Sequence, residues 1–283
     1  MAAECQLDVP PWPPGLEAGS TWATSAAEEL DSKQRMARLA RTLEAEIIPR
    51  LVGVHREPRA PEGEWPEVES FVELLRRGTD GEVDAAMQAL VRRGGGLGPI
   101  FTGMLAPAAR RLGEMWEADR CDFSTVTICL GRLQRLLREW SPHFGREVAH
   151  PPNGRRVLLG QHPDEQHSFG LSMVAEFFRR EGWEVLGGVG GALPDPSARV
   201  ARDWFDVVGF SIGSESRIDW LRERIVQVRA LSRNREVVVL VGGPLQLLNP
   251  ALVRVVEADG GGHDATQAPR LAEDLVAARH ARR

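Results

Sequence analysis

From residue 155 to the C-terminus, short apolar runs alternate with longer amphipathic stretches, and no other feature constrains the fold as much. The runs RVLLG (156–160), EVLGGV (184–189), DVVGFSI (206–212) and EVVVLVGG (236–243) lack the apolar/polar alternation of a strand with one wet face. They are predicted as strands buried on both faces. Helical segments are predicted between them at 169–182, 196–203 and 216–232. Strands separated by helices are joined by crossovers, which makes the sheet parallel. A weak fifth strand near 262–265 and a final helix over 269–278 complete five strand–helix units, an α/β domain over 155–283.

The chain of 283 residues is long enough for two ordinary domains. Its first twenty-odd residues, with VPPWPPG at their centre, cannot continue a helix or sheet and read as a leader. Met36, Leu39, Leu43, Ile47 and Leu51 recur at three- and four-residue steps, which predicts an amphipathic helix over 25–51. Leader and helix together make a segment 1–60, and REPRAPEGEWPE (56–67) reads as a linker. Between Val68 and Trp140 four helical segments follow, broken near Gly78–Gly81, Gly94–Pro99 and Arg120–Asp122. They predict a helical bundle over 65–148 with an apolar stripe through Phe101, Met104, Leu105, Ala108, Leu112 and Met115. Arg132, Arg135 and Arg138 share the opposite face of the fourth helix, as a solvated face or as a binding patch.

Composition excludes some functions. No apolar run reaches bilayer length and no secretory signal is visible, so a cytoplasmic protein without membrane contact is expected. Cys5, Cys121 and Cys129 lack the paired short spacings of a disulfide framework or a structural zinc site. A net charge of −5 argues against nucleic-acid binding through overall positive charge, while local arginine patches leave direct or indirect DNA contact open. A phosphate loop, a nucleophile elbow and a paired-histidine zinc site are all missing, so no catalysis is expected from the chain itself.

In open parallel sheets ligands bind outside the carboxyl ends of the strands. The loop after the first strand, GQHPDEQHSFG (160–170), carries Glu165-x-His167-Ser168-x-Gly170 just before a helix. The third strand ends in Ser211-x-Gly213 and the fourth in Gly242-Gly243. One sheet edge thus presents a carboxylate and a histidine, a hydroxyl and a glycine pair. His162 precedes Pro163, lacks the downstream glycine and is read as a surface residue.

This three-loop pattern resembles the cobalamin-binding family, whose motif is Asp-x-His-x-x-Gly, then Ser-x-Leu, then Gly-Gly. Here Glu165 stands for the aspartate and Gly213 for the leucine. The resemblance implies a flavodoxin-like (Rossmann-type) five-stranded parallel sheet preceded by a helical bundle. It implies that His167 is the lower cobalt ligand and that Glu165 accepts a hydrogen bond from its imidazole, as carboxylates behind metal-bound histidines do. Ser168, Gly170, Ser211, Gly213, Gly242 and Gly243 would line the cofactor.

The bundle implies a cap over the upper face of the corrin, with Trp116 at the end of its third helix. In light-sensing cobalamin regulators Glu-His follows such a tryptophan, whereas Val126 and Thr127 stand here. The resemblance therefore implies aquo- or hydroxocobalamin rather than adenosylcobalamin, and leaves His143 as a candidate upper donor. The stretches 116–139 and 164–185 resemble the AerR/PpaA group of photosynthesis-gene antirepressors. That group implies a light- or oxygen-responsive regulator that binds a PAS and helix-turn-helix repressor of the CrtJ/PpsR type. A corrinoid shuttle for methyl transfer and a haem sensor on the same fold are the alternatives.

Overall fold

A computed structural model of the protein describes residues 67–281, apart from 95, 148–149, 166–167 and 189–195. The leader and first amphipathic helix lie outside the described residues, as do His167 and the end of the predicted second strand. No described helix is long and apolar enough to cross a membrane.

Helix α1 (Val68–Arg77) ends at Gly78, and α2 (Asp80–Arg92) begins behind a Thr79 cap. The Thr79 hydroxyl accepts the Glu82 amide while Glu82 accepts the Thr79 amide at 2.7 Å, a reciprocal capping box. The third predicted helix is continuous. It runs as α3 (Leu97–Ile100), a π-helical turn (Phe101–Leu105) and α4 (Ala106–Glu117). Helix α5 (Phe123–Glu147) runs through Pro142 and ends seven residues beyond Trp140. Packing outweighs the lost amide, because Phe144 is buried at 4.9 Å from Phe101 and 5.0 Å from Phe177.

The sheet comprises β1 (Arg156–Gln161), β2 (Glu184–Gly187), β3 (Val207–Ser211), β4 (Val238–Gly242) and β5 (Gly260–Gly261). Its order is β2-β1-β3-β4-β5 and every pairing is parallel. Val157, Leu159, Val207, Val238 and Leu240 pack beneath α6 (Ser168–Arg180) and α11 (Ala268–His280). Leu158, Val208, Phe210, Val239 and Val241 point the other way. That face is covered by α7 (Pro196–Arg202) and α8 (Ile218–Leu231), together with Leu245 and Leu252 of the short helices α9 (Pro244–Leu248) and α10 (Leu252–Val255). Both faces are dry, which is why the strand sequences read as unbroken apolar runs.

The bundle is joined to the sheet layer through α6, whose Phe169, Met173 and Phe177 enter the bundle core. Helices α5 and α6 run parallel. Gln134 donates to Ser168 at 3.1 Å, Ser141 bonds Glu176, and Glu147 lies 3.9 Å from Arg180. Two arginines of the opposite α5 face hold the bundle together. Arg132 pairs with Asp80 at 2.9 Å and Arg135 with Asp84 at 2.8 Å, while Arg138 is exposed with no ion pair among the described residues.

Candidate functional site

Strands β1 and β3 are neighbours, yet their following helices, α6 and α8, lie on opposite faces. The crevice between their loops is the switch point where this architecture binds ligands.

The loop after β1 is tightly folded. The Glu165 amide donates to His162 O at 2.9 Å, the Gln161 side chain donates to Glu165 O at 3.0 Å, and the Asp164 amide donates to His162 Nδ1 at 3.1 Å. His162 is half-buried rather than on the surface, with its ring 4.9 Å from that of Trp220. Glu165 turns inward, and its side chain is only 2% exposed. Its Oε2 accepts the Gly213 amide at 3.0 Å and Arg217 Nη1 at 2.6 Å. Arg217 Nη2 also donates to Asp164 O at 2.9 Å. One carboxylate thus ties the β1 loop to the turn after β3. The expected contact from Glu165 to His167 falls on a residue outside those described.

The glycines at the strand ends divide by function. Gly243 has φ +97°, and a Cβ there would meet Ile212 O at 2.6 Å and Ser211 Oγ at 2.8 Å. It is required where the β3 and β4 loops touch, with Ile212 N donating to Gly242 O at 3.0 Å. Among the described residues a Cβ on Gly242 would meet only Gly262 O at 3.7 Å, and one on Gly262 would meet nothing within 4 Å. Gly170 is exposed at the start of α6, and a Cβ there would meet nothing within 4 Å among the described residues. Ser211 is buried, and Ser168 is half-buried beside Gln134. Buried side-chain oxygens with no partner among the described residues also sit at these strand ends, Gln161 Oε1 in the last residue of β1 and Gln246 Oε1 after β4. Such orphaned acceptors call for a ligand or water donor.

The bundle overhangs this edge. Because Gln134 is level with the first residue of α6, the eleven residues of α5 before it reach about 16 Å past that helix start. Phe123, Thr127, Gln134 and Ser141 lie on one stripe of α5, and the last two touch α6. Phe123 is 59% exposed and Trp116, at the adjoining end of α4, is 41% exposed. Thr127 is exposed with its hydroxyl donated to Phe123 O at 2.8 Å. Val126, by contrast, is buried in the bundle core. His143 is exposed against Trp140 and stands about 13 Å further along α5 than Gln134, away from the strand ends. It does not reach the site, contrary to the expectation for an upper donor. The overhang is anchored by Asp122, whose carboxylate receives the Thr125 amide at 2.8 Å. That bond and the Thr125 hydroxyl hold the Asp122 pKa below its ordinary value.

Open backbone and orphaned amide oxygens at the strand ends, with exposed aromatic rings overhead, fit a large ligand that is polar along one side and flat and apolar above. Cobalamin has that character. Arg217, Gln161 and Gln246 were not marked by any spacing in the sequence. Only the arginine standing six residues beyond Ser211 offered a signal, and nothing local distinguishes it from the other arginines.

Comparison with known proteins agrees with this reading. The B12 binding domain model matches residues 155–270. The chain is 32% identical over 155 residues to the "Uncharacterized 20.5 kDa protein in bchF-crtJ intergenic region" of Rhodobacter capsulatus, covering 55% of this chain and 81% of that protein. The solved structure of the Methanosarcina barkeri monomethylamine corrinoid protein superimposes with a TM-score of 0.61 at 11% identity, covering 73% of this chain and 96% of that one, a likeness of fold. The chain therefore belongs to the B12-binding domain family, with its cobalamin-binding fold carried by residues 155–270 beside an N-terminal helical region.

Proposed function

We propose that the protein is a cobalamin-binding transcriptional regulator, an antirepressor whose cofactor state sets its affinity for a DNA-binding repressor. The observation that carries the reading is the 32% identity to a protein whose name places it in the bchF-crtJ intergenic region. It is supported by a strand edge where buried amide oxygens have no partner among the described residues. The partner is a PAS and helix-turn-helix repressor of the CrtJ/PpsR type, and the protein is not itself an enzyme.

In this reading His167 would ligate the cobalt, and Glu165 would support it. Ser168, Gly170, Ser211, Gly213, Gly242 and Gly243 would hold the cofactor from the strand edge, and Trp116, Phe123 and Thr127 would hold it from the bundle. When bound, cobalamin would supply a cobalt that exchanges ligands with light or redox state, and the aquo or hydroxo form is the one expected. The chain's own part would be to keep solvent from the cofactor with the start of α5. A switch requires the repressor to bind the two states with different affinity. Because α5 shares a core with α6, a change above the strand edge reaches the bundle surface through packed side chains.

The test mixes purified protein with hydroxocobalamin in darkness and under blue-green light, followed by desalting and spectra of wild type and His167→Ala. Wild type should retain corrinoid and the variant should lose it. Equal retention would overturn the ligand assignment, and a haem spectrum from purified protein would replace the cofactor. Pull-down of the repressor should depend on cobalamin. Methyl transfer to reduced cobalamin without repressor binding would make the protein a corrinoid shuttle instead.

A further inference from the structure

At the amino ends of the strands, opposite the candidate site, arginines stand in two different states. Those entering β1 are neutralised: Arg155 lies 3.6 Å from Asp206 and 3.3 Å from Glu273, and Arg156 lies 2.8 Å from Glu184. Those entering β3 and β4 have no such answer. Arg202 ends α7 just before β3, Arg233 and Arg235 stand in the loop before β4, and all three are exposed with no carboxylate partner among the described residues. The nearby Asp203 is taken by Arg199 at 2.5 Å. Strands β3 and β4 pair from Val207 and Val238 onward, so the two loops lie side by side. They are locked together as well. Arg233 N donates to Val200 O and Arg233 Nη1 to Arg202 O, both at 3.0 Å, and Asn234 Nδ2 donates to Phe205 O at 2.9 Å. Arg235 Nη1 donates to Ala230 O at 2.8 Å. Arg233 and Arg235 are thus each tethered by one nitrogen, and their remaining N–H groups stay available to an anion. Beside them Trp204 is 45% exposed, and Leu231, the residue after Ala230, is 51% exposed.

We propose that this patch is a docking surface for protein, holding an acidic segment of the DNA-binding repressor that also carries an apolar side chain. Like charges held in fixed proximity repel one another, and an anionic partner relieves that repulsion. Arginine and tryptophan are the usual anchors of protein interfaces, and a guanidinium fork matches a carboxylate. Nucleic acid fits less well. Three phosphate contacts supply little affinity at physiological salt, and a chain of net charge −5 repels DNA at longer range. The inference rests on the reading that the chain works by binding that repressor. It places the partner at the sheet edge away from the cofactor crevice, so that partner and cofactor are held at once.

The experiment titrates a purified repressor of the CrtJ/PpsR type into the full chain, with and without hydroxocobalamin, in darkness and under blue-green light. Arg202→Glu, Arg233→Glu and Trp204→Ala should each weaken binding roughly 10-fold or more, as loss of an interface anchor does. Arg202→Glu is the least disturbing to the fold, because that side chain makes no hydrogen bond or ion pair among the described residues. Thermal midpoints and retained hydroxocobalamin should match wild type. Added salt should weaken wild type more than Arg202→Glu, since the exposed charges are screened. Arg138→Glu, on the exposed face of the bundle, should bind as wild type does. Wild-type affinity in both Arg202→Glu and Trp204→Ala overturns the proposal alone, as does an equal loss in Arg138→Glu, which would make the effect one of overall charge. Binding of single- or double-stranded DNA that depends on Arg202, with repressor binding unchanged, assigns the patch to phosphates and overturns it too. No binding of the repressor by wild type under any condition overturns the partner reading and this surface with it.

Discussion

Glu165 Oε2 lies 2.6 Å from a guanidinium nitrogen of Arg217, and these two residues, 52 positions apart, join the β1 loop to the turn after β3. An ion pair in a dry site is costly to break from one side, because the surviving partner is left uncompensated. Glu165→Ala also strands the Gly213 amide. Since Arg217 keeps partial access to water, the cost should fall below that of a fully buried pair, at about 2 kcal/mol. Urea unfolding should show it, with Glu165→Gln milder because its amide oxygen still accepts the Gly213 amide. Alanine at no cost would mean that the pair contributes nothing to stability.

The adjacent glycines should respond in opposite ways. Gly243→Ala forces a Cβ to 2.6 Å from Ile212 O at φ +97°, and strain plus overlap should destabilise the protein by about 2–4 kcal/mol. Among the described residues Gly242→Ala meets nothing closer than 3.7 Å, so it should fold normally while its methyl group intrudes on the space left for the cofactor. Comparing urea midpoints with retained hydroxocobalamin separates the two effects. A Gly242→Ala protein that keeps full retention would place the tail elsewhere.

The sheet was legible in the sequence because its central strands are buried on both faces, so Val157–Leu159, Val207–Phe210 and Val238–Val241 declare themselves without neighbours. The fifth strand was expected near 262–265 and lies at Gly260–Gly261. It is held by backbone pairing to Leu240 and Val241, and two glycines offer no apolar side chain to mark it. Helices α9 and α10 are too short to show a period. The strand-end glycines could be read from their spacing, but Arg217 could not, since its meaning arises only when β1 and β3 pair. Likewise Val126 and Thr127 are adjacent in sequence, but one helical step of 100° places the first in the core and the second outside.

Phe144 is where the bundle and the sheet layer meet. Its ring contacts Phe101 and Phe177, and the Arg180 guanidinium lies 4.4 Å from its centroid. Phe144→Ala should cost about 3–5 kcal/mol, since rings on both sides lose their partner. Hydrogen exchange should then show α3 and the end of α5 loosening before the sheet. Uniform loosening would mean that bundle and sheet unfold as one unit regardless of this contact.

His143→Ala should leave the spectrum and retention of bound hydroxocobalamin unchanged. The parallel register of α5 and α6 puts His143 beyond Ser141, whose partner Glu176 is two turns along α6 from its start at Ser168. A spectral change on this substitution would require α5 to slide along α6, breaking the Gln134–Ser168 and Ser141–Glu176 bonds.

The α5 overhang should weaken in acid through Asp122. Its carboxylate accepts the Thr125 amide and hydroxyl, and those bonds depress its pKa in the folded protein. A depressed aspartate contributes stability that is present above its unfolded pKa and lost as pH falls through the folded value. Asp122→Asn can still accept from the Thr125 amide but has no charge to lose, and it forgoes the attraction of an anion for the helix N-terminus. Wild type should therefore have the higher thermal midpoint at neutral pH, and the two curves should converge as pH drops below the usual aspartate range. A gap that stays constant across that range would show that Asp122 holds the start of α5 by shape alone, and that its charge does not secure the helix end that carries Phe123 and Thr127 over the strand edge.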